Sequence, residues 1–222
     1  MVSKPLARAG KRFLDLTVAI AVPIAGAPLL GLIALAIKLS SRGPVLFMQE
    51  RVGWHGRIFH IIKFRSMVDH APYIRNLDGS AYSSDTDLRV THLGRILRRT
   101  SLDELPQLWN VLRGEMSLIG PRPELAEGIR SYRPADFRRL LVRPGMTGWA
   151  VVHGRNDVSI NTRRDLDTWY ADHAGPLLDL KILLKTIALV VRRQGIHRNP
   201  GPMLPDETSA HAVEAQRCSR EN

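Results

Sequence analysis

Cysteine is almost missing from this sequence: its 222 residues hold one, Cys218, close to the C-terminus. An internal disulfide is excluded, which places the folded part in a reducing compartment. The eight histidines show neither an HExxH pair nor a Cys/His ligand spacing, so the sequence offers no structural zinc site. Acids are in short supply too, 21 against 32 Lys plus Arg, for a formal charge of +11. That surplus calls for an anionic partner: nucleic acid, a phosphorylated substrate or anionic lipid. No internal repeat and no recognisable nucleic-acid motif accompanies it. The length suits one domain with appendages, enough to bury a core.

Charge is absent altogether between Asp15 and Lys38. The 22 residues LTVAIAVPIAGAPLLGLIALAI, Leu16 to Ile37, are too long for a signal-peptide core and run on into KLSSRGPVLF, which is no cleavage region. About 20 apolar residues suffice to span a bilayer. Pro23, Gly26, Pro28 and Gly31 interrupt the run, and a mid-helix proline removes a hydrogen bond and kinks the helix. Both flanks are basic, with Lys4, Arg8, Lys11 and Arg12 before and Lys38, Arg42 and Arg51 after, so the positive-inside bias keeps both ends on one face. A helix broken near Pro28 satisfies both facts. Its limbs, Leu16–Ala27 and Pro28–Ile37, would each reach roughly 15–18 Å, about one leaflet. The competing readings are a straight spanning helix and a buried pair of core helices.

Downstream, residues 44–64 read as two extended runs around a turn from Gly53 to Gly56, a hairpin. Residues 66–90 read as a helix start followed by a loop. From Leu102 to Leu112, apolar residues at spacings of three and four predict an amphipathic helix. MSLIGPRPE (116–124) and LVRPGMTGWAVVHGR (141–155) are proline- and glycine-punctuated loops. Residues 158–172 read as a helix, and 175–193 as an amphipathic helix suited to core packing or to a membrane interface. The tail from His197 reads as disordered.

The chemistry-bearing residues are cations in fixed loops and one pair of acids. Proline fixes the backbone angle beside Arg122 and Arg143, and arginine presents a planar fork that fits phosphate oxygens. Lys63 and Arg65 in KFRSM, with Arg98 and Arg99, extend this cationic set. Asp103 and Glu104 lie side by side in SLDELPQLWN. Ser101 with Glu104 fits a capping box, and acids in a first turn suit the helix dipole. Successive helical positions point about 100° apart, which leaves one acid able to cap while the other faces a site.

The string SLDELPQLWNVLRGEMSLIGPRP, with KFRSM before it and RPGMTGWA…GR after, resembles the bacterial sugar transferases, the monotopic polyprenyl-phosphate phosphoglycosyl transferases, from Lys11 to about Ile196. The resemblance implies transfer of a sugar 1-phosphate from a nucleotide diphosphate sugar, usually a UDP-sugar, to a membrane polyprenyl phosphate, with release of UMP and a need for Mg²⁺. It makes Asp103 the nucleophile that becomes a covalent phospho-sugar enzyme. Glu104 is its partner in holding metal or nucleophile, and Lys63, Arg65, Arg98, Arg122 and Arg155 bind substrate phosphates. It also implies a re-entrant N-terminal helix broken at a Ser-Pro pair, here Ala27-Pro28. Ala27 in place of serine, the extra Pro23, and Val151-Val152-His153 where Gln and Asn are usual depart from the family pattern.

The fold expected is α+β and mostly helical, with a re-entrant broken membrane helix, a small β-hairpin and amphipathic interfacial helices. Residues 1–40 form the basic segment and membrane helix, 41–196 the catalytic domain on the cytoplasmic face of a bacterial inner membrane, and 197–222 a flexible tail, the family's minimal catalytic form. Expected partners are a UDP-sugar, polyprenyl phosphate and membrane lipid, without nucleic acid, and a homo-oligomer is left open. Two rivals remain: a basic membrane-associated protein that binds acidic lipid or nucleic acid without catalysis, and an aspartyl-phosphate hydrolase, whose aspartate should follow a buried strand.

Overall fold

The computed structural model describes residues 5–72, 74–76, 82, 84, 87–154, 158–192 and 203–204. Its elements in chain order are α1 (Pro5–Ala25), α2 (Ala27–Ser40), β1 (Leu46–Val52), β2 (Ile58–Phe64), β3 (Arg75–Asn76), α3 (His92–Thr100), α4 (Leu108–Leu112), β4 (Ser117–Ile119), β5 (Gly145–Thr147), α5 (Trp149–Val152), α6 (Ile160–His173), α7 (Pro176–Arg192) and β6 (Met203–Leu204). The architecture is mostly helical with a small antiparallel sheet, as the sequence suggested. Of the tail expected over 197–222, only 203 and 204 lie among the described residues, and they pair with Arg75 and Asn76.

The apolar N-terminal run forms two helices bent by 67°. The bend falls at Gly26, not at Pro28: Gly26 N still donates to Val22 O at 2.9 Å, and α2 begins at once. Pro28 sits in the first turn of α2, where a missing N–H has no partner to lose. Pro23 lies inside α1. No single helix among the described residues is long and apolar enough to cross a membrane, but the bent pair together meets that test. Phe13, Ile24, Leu32 and Leu39 on its outer side are 64–79% exposed, whereas Ala19, Ile33 and Ile37 are buried.

The basic flank before this run has internal work. Lys11 Nζ lies 2.6 Å from Asp179 of α7, and Arg12 donates to the carbonyls of Val111 and Leu112 at 2.8 and 3.2 Å. Buried Asp15 accepts from Leu118 N and Ser117 Oγ at 3.0 and 3.1 Å. Polar contacts thus fasten α1 to α4, β4 and α7.

The hairpin forms as expected: β1 and β2 are antiparallel, from Leu46 opposite Phe64 to Val52 opposite Ile58. Alternation buries Phe59 and Ile61, which pack with Ala19, Leu108, Val111 and Met116. Fully buried Asn110 holds the hairpin's edge, since its Oδ1 accepts from Ile62 N and its Nδ2 donates to His60 O. These bonds satisfy backbone groups that an unpaired edge would leave exposed.

Three expectations change. No helix occurs among the described residues of 66–90; the helix starts later, as α3, capped by Thr91, whose hydroxyl accepts from Gly94 N. The helix expected over 102–112 is a 3-10 segment, Leu102–Gln107, followed by short α4. Ser101 sits in the left-handed region (φ 57°) and ends α3, so the Ser101–Glu104 capping box does not form. Pro106, inside the 3-10 segment, cannot donate a helical hydrogen bond. The two proline loops also prove to be joined, because β4 and β5 pair in parallel, Ser117 with Gly145 and Ile119 with Thr147. A Cβ on Gly120 or Gly145 would overlap the other's backbone, so this approach requires glycine on both sides.

Candidate active site

A cavity of about 1070 Å³ opens between these elements. Lys63, Arg65, Arg98, Asp103, Glu104 and Arg122 all line it, so four cations and two acids drawn from 60 residues of chain converge. Leu14 and Val18 of α1 and Leu180 and Leu183 of α7 line its apolar part.

Local structure explains each placement. Lys63 ends β2, Arg98 occupies the last turn of α3, and the 3-10 segment presents Asp103 and Glu104. Arg122 follows β4 in the loop pinned by Gly145 N to Pro121 O at 2.8 Å.

The paired acids hold different positions. Glu104 Oε1 accepts from Lys63 Nζ at 2.8 Å and Arg122 Nη2 at 2.9 Å. Burial alone would raise the Glu104 pKa, but Lys63 and Arg122 outweigh it and hold the carboxyl well below its usual range. Asp103, only 8% exposed, has no hydrogen bond or ion pair to its carboxylate among the described residues. Burial, then the neighbouring Glu104 charge, pushes it up to about 6 against the pull of Lys63, Arg98 and Arg122. The arrangement therefore keeps one carboxylate ion-paired and anionic, and leaves its neighbour uncommitted, energetically raised and facing cations. Such divergence marks a pair with divided roles.

Arg98 Nε donates to Ser66 Oγ at 2.9 Å. Arg65 is buried, and its Nη2 donates to Ser41 O and Oγ at the end of α2, so it ties the helix pair to β2 as well as lining the cavity. Arg155 lies outside the described residues.

Sequence reasoning missed the support behind Arg122. Buried Arg139 donates to Arg122 O at 2.7 Å and meets Glu124 and Asp167 at 2.6 Å each. Arg164 meets Glu124 at 3.0 Å, and Arg163 of the same helix lines the cavity. Arg164 and Asp167 stand three residues apart on α6, a spacing that a solvated helix face shows equally.

No group of three or more His, Cys, Asp or Glu among the described residues could hold a metal unaided. Asp103 with both oxygens uncommitted, and Glu104 with Oε2 uncommitted, fit a hard divalent ion that completes its shell with water and substrate oxygens, the habit of Mg²⁺.

Residues 6–193 match the model of the bacterial sugar transferases. The chain belongs to that family. It is 47% identical over 193 residues to the undecaprenyl-phosphate glucose phosphotransferase of Komagataeibacter xylinus, covering 80% of this chain and 35% of that protein. It is 40% identical over 188 residues to the uncharacterized sugar transferase EpsL of Bacillus subtilis, covering 85% and 90%. With the exopolysaccharide production protein ExoY of Sinorhizobium fredii it shares 38% over 203 residues, covering 86% and 90%. The chain thus spans about a third of the first relative and nine tenths of the other two. Membership makes it a sugar transferase, an enzyme rather than a passive binder. Every candidate site residue of the transferase, Lys63 to Arg155, falls inside the matched region. Asp103 lies on a 3-10 segment and not after a buried strand, unlike the nucleophile of the hydrolase alternative.

Proposed function

We propose that the transferase moves a sugar 1-phosphate from a UDP-sugar to a polyprenyl phosphate, undecaprenyl phosphate, releasing UMP as the first membrane step of a glycoconjugate or exopolysaccharide pathway. The observation that carries this reading is Asp103: a buried carboxylate without a hydrogen-bond partner among the described residues, in a cavity it shares with Lys63, Arg98 and Arg122. Relatives named as undecaprenyl-phosphate phosphotransferases support the acceptor class.

An Asp103 oxygen attacks the phosphorus bonded to the sugar. A P–O bond forms, the bond to UMP breaks, and UMP leaves with the electron pair. A phosphate oxygen of the acceptor then attacks the same phosphorus, and the Asp103–phosphorus bond breaks to restore the carboxylate. Covalent catalysis divides one transfer into two and parks the sugar phosphate until the lipid arrives. A carboxylate approaching a diphosphate meets like charge, which the guanidinium of Arg122 offsets. Lys63 and Arg122 keep Glu104 anionic beside the nucleophile. Mg²⁺, held by Asp103 and Glu104, would supply further neutralisation of phosphate oxygens.

In this reading the bent pair α1–α2 enters and leaves one leaflet and α7 lies in the interface, which the 53–84% exposure of Leu177, Leu184 and Ile187 supports. The cavity would then open on the cytoplasmic face of a bacterial inner membrane, within reach of a lipid phosphate. The test is UMP release from a panel of UDP-sugars, with and without undecaprenyl phosphate. Lipid-dependent release with at least one sugar is expected; none with any sugar contradicts the reading.

A further inference from the structure

Arg65 is 6% exposed, yet two of its three guanidinium nitrogens, Nε and Nη1, have no hydrogen-bond partner among the described residues. The third, Nη2, is committed to Ser41 O and Oγ at 2.9 Å each. Buried donors without acceptors are costly, and a charged one most of all. The group lines the cavity that contains Asp103. One residue on, buried Ser66 accepts from Arg98 Nε, and the two terminal nitrogens of Arg98 form no hydrogen bond among the described residues. A Cβ on Gly94 would overlap the Ser66 backbone, so α3 presses directly on the segment that carries Arg65. The contact fixes the backbone segments that carry Arg65 and Arg98 against one another, and both side chains line the same cavity.

Neither guanidinium forms an ion pair among the described residues, although the Asp103 charge acts on Arg98. Asp69 lies beside Arg65 across Gly43 without forming an ion pair with it, and Asp87 is bonded to Arg89 at 2.8 Å. Lys63 and Arg122 are in a different situation, because both donate to Glu104. Arg65 is also the residue that grips Ser41, the C-cap of α2, where the apolar helix pair joins the rest of the chain.

We propose that Arg65 and Arg98 form a separate phosphate-monoester site that takes the acceptor's lipid phosphate, leaving the donor's diphosphate to Arg122. This assignment rests on the transfer reading above. Its chemistry is two forked donors at the end of the membrane segment, suited to a terminal phosphate whose lipid chain follows the apolar wall of α1 and α7.

The full chain in phosphatidylcholine nanodiscs tests it in two ways. First, KM is measured for each substrate in wild type, Arg65→Lys, Arg98→Lys and Ser66→Ala. Loss of a charge-assisted fork should raise the acceptor KM on the order of 10-fold in both lysine variants, with the donor KM within about twofold. Ser66→Ala removes only the hydroxyl that orients Arg98; it keeps the Arg65 tether and remains informative if Arg65→Lys fails to fold. It should move the acceptor KM in the same direction by less. A rise in the donor KM instead, or in neither, overturns the assignment. Second, thermal stabilisation is measured with polyprenyl phosphate, polyprenol and inorganic phosphate. Stabilisation by the lipid phosphate alone, lost in Arg98→Lys, supports the site. Equal stabilisation by inorganic phosphate, or its survival in the variant, overturns it. The binding arm needs no turnover, so it stands if wild type releases no UMP and the transfer reading fails.

Discussion

Arg139 donates a hydrogen bond to the backbone carbonyl of Arg122 at 2.7 Å, so a fully buried guanidinium fixes the loop whose own guanidinium grips Glu104. Three more acceptors surround Arg139: Glu124, Asp167 and the Tyr132 hydroxyl. Arg139→Ala strands buried carboxylates and should cost about 3–5 kcal/mol of stability by urea denaturation. Arg139→Lys keeps the charge but cannot serve all four acceptors. It should remain folded and lose roughly 10–100-fold in kcat, a loss larger than its change in stability would suggest.

Asp103 predicts a pH profile. Its pKa is raised to about 6 by burial and by Glu104, and a protonated carboxyl is no nucleophile. kcat/KM should be flat at neutral pH and fall by about tenfold per unit once the carboxylate protonates, at a pH that moves up towards this value as Mg²⁺ is lowered. A rate without any acid limb at low Mg²⁺ would show that this carboxylate's ionisation does not limit the reaction.

The same shift has a stability consequence of defined sign. An acid whose pKa is higher folded than unfolded keeps its proton longer in the folded state, so stability falls as pH rises from about 4 to about 6 and stays lower above. Asp103→Asn should therefore be more stable than wild type at pH 7.5, by about 1–3 kcal/mol. The difference should shrink towards zero near pH 4. Denaturation curves of both proteins at the two pH values decide it. A site residue whose removal stabilises the fold is the usual cost of a prepared active site.

Glu104 should show the opposite sign. Lys63 and Arg122 hold its pKa down, so its contribution is present above its unfolded pKa and lost as pH falls through the folded one. Glu104→Gln leaves two cations facing a neutral amide and should destabilise by about 3–5 kcal/mol at pH 7.5. Two adjacent acids giving stability changes of opposite sign is an outcome that simple helix capping by both would not produce.

Much of this was legible in the sequence, and the exceptions have physical causes. The hairpin, α6 and α7 announced themselves because period-2 and period-3.6 burial leaves a pattern within a few residues. The motif resemblance brought together Lys63, Arg98, Asp103, Glu104 and Arg122, and all five line one cavity. The β4–β5 pairing was hidden because three-residue strands between prolines carry too few side chains for a period, and their partners lie 28 positions apart. The Glu124–Arg139–Asp167 cluster was hidden because arginines and acids so spaced look like solvated faces until tertiary packing buries them. The bend was misplaced by two residues: proline was read as the breaker, whereas a proline in a first turn begins a helix. Lys11 and Arg12, read as flank charges, make bonds within the protein that no hydropathy pattern reveals.

The central claim, that Asp103 itself carries the sugar phosphate, has one direct measurement. Purified wild type and Asp103→Asn are incubated with a UDP-sugar that supports turnover, without lipid, then quenched, digested and examined by mass spectrometry. The account predicts a mass increase of one sugar phosphate on the peptide containing Asp103 in wild type, discharged on adding polyprenyl phosphate and absent from the variant. An unmodified Asp103 peptide under conditions where turnover proceeds, or an adduct on another residue, would contradict it.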